Sequence, residues 1–182
     1  KINKEIGKVI IIYLFFILYC SSVTNEDDRI SSNIINNIRR NYGILIGETT
    51  AEKIKKQIGS AMLASEIYEL EIRGRSLTEG IPKSFTLNSK EVLEALQESL
   101  IDIIDAIRLS LETIPPELAV DIGEQGIVLT GGGALLKGMD KLITEEIGLP
   151  VTVAEDPLTC VIRGAGKVLE MMELNEDIVS IE

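Results

Sequence analysis

Apolar residues fall along this chain at two spacings, and the switches between them outline its elements. Ile34, Ile35 and Ile38, followed by Arg39 and Arg40, read as the end of a helix that closes near Gly43. A second helix carries Ala51, Ile54, Ile58, Ala61 and Met62 inward, with Lys53, Lys55 and Lys56 on its other faces. Thr49 and Glu52 have the spacing of a capping box at its start. Alternation of Tyr68, Leu70 and Ile72 with Glu69, Glu71 and Arg73 predicts a half-buried strand. Gly80-Ile81-Pro82 predicts a turn, and residues 84–87 a returning strand.

Asn88 and Glu91 predict the cap of a long helix whose stripe is Val92, Leu93, Leu96, Leu100, Ile103, Ile104, Ile107 and Leu111. Pro115-Pro116 stops it. Residues 127–130 read as a buried strand that breaks into Gly131, Gly132 and Gly133. An amphipathic helix follows, with Leu135, Leu136, Met139, Leu142, Ile143 and Ile147 on one face. Residues 151–154 predict a last strand, and Asp156 with Pro157 the cap and first turn of a last helix. Gly164 and Gly166 inside that helix cost roughly 1 kcal/mol each against alanine, which predicts close approach to a neighbouring element. The order β, β, α, β, α, β, α implies a layered α/β domain.

Residues 1–33 read differently. Lys1 in place of an initiator methionine reads as a fragment or an incomplete reading frame. Lys1, Lys4 and Lys8 precede an apolar run over residues 9–20, in the layout of a secretory signal. That run is shorter than the roughly 20 residues that span a bilayer core. Tyr19 before Cys20 is poor cleavage-site chemistry. A signal or anchor, a buried strand and a spurious junction all stay open. Residues 21–32 are polar and read as linker.

Composition narrows the chemistry. Of 182 residues, 45% are hydrophobic and 26% charged, which argues for a folded chain. A net charge of −11 argues against nucleic-acid binding, which needs a basic face. Histidine is absent, which removes Ser-His-Asp and Cys-His catalysis and most zinc sites. Cys20 and Cys160 have no metal or redox spacing, and Cys160 reads as a core thiol.

The triple glycine is the strongest local signal. Glycine lacks a Cβ, so a backbone can lie against a flat ligand, and a following helix N-terminus offers N–H donors. The loop fits neither well-known phosphate motif. Met139 stands where a Walker lysine is required, and Leu136 where the third glycine of a dinucleotide fingerprint is required. Taken alone it fits a tight turn as well as a nucleotide site.

Four segments in order carry a more specific signal. They are Gly47-Glu-Thr-Thr-Ala-Glu-Lys-Ile-Lys-Lys-Gln-Ile-Gly59, Glu71-Ile-Arg-Gly-Arg-Ser-Leu-Thr-Glu-Gly-Ile-Pro-Lys83, Leu129-Thr-Gly-Gly-Gly-Ala-Leu-Leu-Lys-Gly138 and Val153-Ala-Glu-Asp-Pro-Leu-Thr-Cys160. Together they resemble the MreB family of bacterial actin-like cell-shape proteins. The resemblance runs from about residue 34 to residue 172 and covers about the C-terminal half of that family. It implies an α/β, actin/Hsp70-type ATPase fold, of which this chain is the second lobe only. Residues 34–182 would form that lobe, with an outer subdomain over about 43–96 inserted in an inner one.

The resemblance also implies a site. Glu52, Lys53, Ile54 and Lys55 would lie along the base and ribose of an adenine nucleotide, and Gly131, Gly132, Gly133 and Ala134 would pass beneath it. Without the resemblance, the lysines read as a solvated face. The implied cofactor is ATP or ADP with Mg²⁺. The family's first lobe, with its phosphate loops, should precede residue 34, yet Gly7 is the one glycine in residues 1–33. Asp27 and Asp28 lie in the linker and are not assigned to magnesium, and no catalytic or metal-ligating residue is assigned. The expectation is weak nucleotide binding without hydrolysis.

Implied partners are copies of itself in filaments, a full-length homologue, cell-shape and cell-wall-synthesis proteins, and the inner-membrane surface, in the cytoplasm. The competing expectations are a protein-interaction module with no nucleotide, an inert relic, and a membrane-tethered or exported protein. Loss of the first lobe would expose apolar surface and favour self-association.

Overall fold

The computed structural model describes residues 26–174. The apolar run at 9–20 lies outside the described residues. Among those described, no helix is long and apolar enough to cross a membrane.

The first element, α1 (Glu26–Tyr42), begins inside the stretch that reads as linker. Ser31, Ser32 and Asn33 are weak helix formers, but Ile30, Ile34 and Ile38 stand at i, i+4 and i+8 and are at most 2% exposed. Burial of that stripe, not propensity, makes the helix. Partly buried Asn33 is satisfied from outside the helix: its Nδ2 donates to the buried Ser99 Oγ at 3.0 Å.

The short strand β1 (Ile44–Leu45) leads into α2 (Glu48–Ile58), then into the hairpin β2 (Glu69–Ser76) and β3 (Pro82–Asn88). These strands form an antiparallel sheet in the order β1-β2-β3, with Leu70 opposite Leu87 and Ile72 opposite Phe85. The predicted alternation holds at Leu70 and Ile72, while Tyr68 lies before the strand and is half exposed. The 24-residue helix α3 (Ser89–Glu112) starts with the expected capping box, Asn88 accepting from the Glu91 N–H and Glu91 from the Asn88 N–H. Its stripe of Val92, Leu96, Leu100, Ile104 and Ile107 is buried against α1 and α2. Tyr42 joins the end of α1 to this cap, donating to Glu91 Oε1 at 2.6 Å. Burial, then that bond to a carboxylate, pushes the Tyr42 phenol up to about 12.

Pro115-Pro116 ends α3 as expected, and it also opens a helix that the pattern does not announce, α4 (Pro116–Gln125). Proline at a first helical position loses no hydrogen bond and has its φ pre-set. Next come β4 (Ile127–Leu129), a 3₁₀ turn (Gly133–Leu135), α5 (Met139–Ile147) and β5 (Val151–Val153). β4 and β5 pair in parallel, Ile127 opposite Val151 and Leu129 opposite Val153, with α5 as the crossover.

The last helix, α6 (Cys160–Leu174), starts later than the sequence suggests. Asp156 does not cap it through its side chain; it sits at φ +50° in a turn, and its carbonyl accepts from the Thr159 and Cys160 N–H groups. Gly164 and Gly166 have nothing within 4 Å of a hypothetical Cβ, so the expected close approach is absent among the described residues. The apolar residues Val161, Ile162 and Leu169 of α6 are instead exposed.

Candidate functional site between a helix and a glycine turn

The helix α2 is built differently from its expected capping box. Gly47 takes the N-cap position without a side-chain bond, and its carbonyl accepts from Thr50 N at 3.0 Å and Ala51 N at 3.1 Å. The helix therefore starts ahead of Thr49, which becomes its second residue. Glu52 is released from capping and turns to cations: Lys55 bonds it in an i,i+3 pair, and Lys56 reaches it at 3.4 Å. Ser31 Oγ of α1 donates to it at 3.1 Å.

These contacts fix the charge at Glu52. The hydrogen bond from Lys55 comes first among the causes that hold its carboxyl below its ordinary value of 4.5. A carboxyl depressed in the folded state stabilises the fold above its unfolded pKa, and that contribution disappears as pH falls through the folded value. The stability difference between the wild type and Glu52→Gln is therefore expected to shrink from about pH 6 to about pH 3 in urea titrations. A difference that stays constant across that range would contradict the ion pair.

The four α2 positions implied by the resemblance do not share one face. Glu52 and Lys55 converge, the Lys55 side chain only 13% exposed. Lys53 lines a separate groove with Thr50 against Glu71, Ile72 and Arg73 of β2. Ile54 is 0% exposed and packs in the core, because a 100° step per residue turns every fourth or so position of this helix inward. Side-chain contact with a ligand is thus open to Glu52 and Lys55 and closed to Ile54.

The glycine turn also departs from the simple strand–glycine–helix picture. Gly131 has φ +82°, a conformation that glycine adopts without strain, and its N–H donates to the Pro157 carbonyl at 2.8 Å. Gly132 is exposed and right-handed in conformation, and Gly133 opens the 3₁₀ turn rather than an α-helix. The helix N-terminus lies further on, at Gly138, because α5 begins only at Met139. Ala134 is buried at 8% exposure, so its methyl belongs to the core. A hypothetical Cβ on Gly131 or Gly133 would meet nothing within 4 Å. Packing within the described residues therefore does not demand glycine at 133, and open space lies over that part of the turn.

Two residues to which the sequence reading assigns no role hold the site's parts in place. Lys137 follows the turn; its carbonyl accepts from Ala61 N at 2.8 Å and from Ser60 Oγ at 3.2 Å, and its Nζ lies 3.4 Å from the Gln57 carbonyl. Ser31 arrives from α1 to hold Glu52. The exit of the glycine turn thereby lies beside the last turn of α2, within about two helical turns of Glu52. An open glycine backbone beside a helix that presents a carboxylate and an ammonium group fits the hydroxyls, base edge and flat faces of a nucleoside.

The family model for MreB/Mbl protein matches residues 2–177. The cell shape-determining protein MreB of Escherichia coli (strain K12) is 58% identical over 168 residues, which cover 92% of this chain and 48% of that protein. The cell shape-determining protein Mbl of Bacillus subtilis (strain 168) is 45% identical over 157 residues, 86% of this chain and 47% of that one. The chain thus spans about half the length of these relatives. The crystal structure of MreB5 of Spiroplasma citri bound to AMPPNP superimposes with a TM-score of 0.78 at 36% identity, covering 83% of this chain and 45% of that one. A MamK double helical filament shares the fold, with a TM-score of 0.66 at 23% identity over 79% of this chain and 44% of that one. The chain belongs to the MreB/Mbl family and carries part of its actin-like ATPase fold.

Proposed function

We propose that this chain is the second lobe of an MreB-type, cell-shape-determining filament protein, and that it holds the adenosine end of a nucleotide. The observation that carries this reading is the seam of Ser60, Ala61 and Lys137, which sets an open glycine turn beside α2 and its Glu52–Lys55 pair. Glu52 and Lys55 would meet the ribose and base, and Gly131, Gly132 and Gly133 would support the nucleotide through their backbone. Mg-ATP or Mg-ADP is the expected ligand; the MreB5 structures bound to AMPPNP and to ADP support nucleotide use in the family.

Residues 131–133 are the one run of consecutive glycines in the 182 residues, so a second glycine-rich phosphate cradle has no candidate in this chain. Binding is accordingly expected to be weak and without hydrolysis, because among the described residues no positioned group meets charge developing at the γ-phosphate. The lobe is organised as an inner part around β4, β5 and α5 and an outer part over about 43–96. Self-association, or association with a full-length homologue, is the expected mode of action, in the cytoplasm and at the inner-membrane surface; the MamK filament supports self-association.

Calorimetric titration of the 182-residue chain with Mg-ATP and Mg-ADP tests the site, with Gly132→Asp as the control. The expected result is weak, saturable binding that Gly132→Asp reduces at least about tenfold, since a carboxylate at the exposed turn repels phosphate and fills its open side. Tight binding with turnover would overturn the half-site reading. No binding by a chain shown to be folded would assign the lobe to protein interaction alone.

A further inference from the structure

A second concave surface lies outside the nucleotide half-site, between α3, α5 and the loop that follows α2. Its volume is about 510 Å³. Met62, Leu63, Ile101 and Leu142 supply much of its lining, with Asp105, Arg108 and Glu146 at its edge. Leu63 is 73% exposed and Ile101 59% exposed, and both line this groove beside the buried Ala61, Leu100 and Ile104. Two large aliphatic side chains from different elements, left in water around one groove, mark an interaction surface.

Charge decides what fits there. On α3, Glu94, Glu98 and Asp105 stand at i, i+4 and i+11 with Ile101 at i+7, so an acidic ridge of about three turns runs along the apolar wall. Arg108, the cation at that edge, is already held by Glu146 at 2.7 Å and Asp105 at 3.5 Å. A second copy of this chain, at net charge −11, meets the ridge with charge of the same sign, and so does an anionic lipid surface.

We propose that this groove docks an amphipathic helix of a partner protein, one with aliphatic or aromatic side chains along one face and lysine or arginine beside them. The apolar face of that helix lies against Leu63 and Ile101, parallel or antiparallel to α3, and its basic residues meet Glu94, Glu98 and Asp105. This is the helix-in-groove mode of recognition, in which apolar anchors give affinity and flanking charge gives selectivity. It does not depend on the nucleotide reading.

The test uses the 182-residue chain and a fluorescent model peptide of about 18 residues, with leucine at helical spacing on one face and lysine on the other. A second peptide with glutamate in place of lysine is the charge control. The leucine/lysine peptide is expected to bind at least tenfold more tightly than the leucine/glutamate peptide. Ile101→Gln and Leu63→Gln, which alter exposed side chains without changing net charge, are each expected to weaken it at least tenfold. Val120→Gln, on the exposed face of α4, is expected to leave it unchanged. Binding that is absent, equal for both peptides or insensitive to Ile101→Gln and Leu63→Gln would overturn the proposal. A dimer in sedimentation that Ile101→Gln dissolves would overturn it also, by assigning the groove to a second copy.

Discussion

Ile54→Ala is expected to destabilise the fold by about 3 kcal/mol, whereas Lys53→Ala, one residue away, should change it by no more than about 0.5 kcal/mol. Both positions lie in the segment that the family resemblance places along the nucleotide. Ile54 is fully buried, and truncation removes its transfer free energy and leaves a cavity between α2 and its neighbours. Lys53 instead lines a groove against β2, away from the Glu52–Lys55 pair. Urea denaturation followed by circular dichroism measures the first difference, and calorimetry with Mg-ADP the second. Any loss of nucleotide binding in Ile54→Ala should track the fraction unfolded, and Lys53→Ala should bind as the wild type does. A folded Ile54→Ala that has lost binding would return this side chain to the site.

Gly126→Ala is expected to cost about 3 kcal/mol as well, for a different reason. Gly126 sits at φ +79°, ψ −164°, a region that residues with a Cβ scarcely enter. A Cβ there would also collide with the carbonyl oxygen of Pro150. That oxygen accepts from Ile127 N at 2.8 Å, the bond that starts the β4–β5 pairing. Relief of the collision therefore pulls β4 from β5 and moves the glycine turn that follows β4. Gly123→Ala is the matched control, because Gly123 lies inside α4 with nothing within 4 Å of its Cβ direction. It should stabilise by about 0.5–1 kcal/mol, the difference in helix propensity. Equal denaturation midpoints for the two variants would show that the Gly126 conformation is not required.

The sequence by itself determined those elements whose cause is local. The stripe from Val92 to Ile107 forms α3 because its apolar spacing and its Asn88–Glu91 cap agree with one helix. The alternation around Leu70 and Ile72 forms β2, and the glycine run follows a strand as expected. The ordered motifs identified the family. Elements that depend on distant partners were not legible. Helix α1 extends back to Glu26 through serines and asparagines because its isoleucines reach a core built from α2 and α3. The expected Thr49–Glu52 cap fails because Gly47 starts α2 earlier, while Lys55, Lys56 and Ser31 engage Glu52.

The candidate site divides along the same line. The family resemblance pointed to Glu52, Lys53, Ile54, Lys55, Gly131, Gly132, Gly133 and Ala134. Only the packed chain shows that Ile54 faces the core, that Lys53 lines a groove against β2 and that Lys137 meets Ser60, just past α2, across 77 residues of sequence. Spacing along a chain fixes which residues can share a helix face, since that geometry repeats within a few residues. Which face is buried, and which distant backbone meets it, depends on contacts that form only when the whole lobe is assembled.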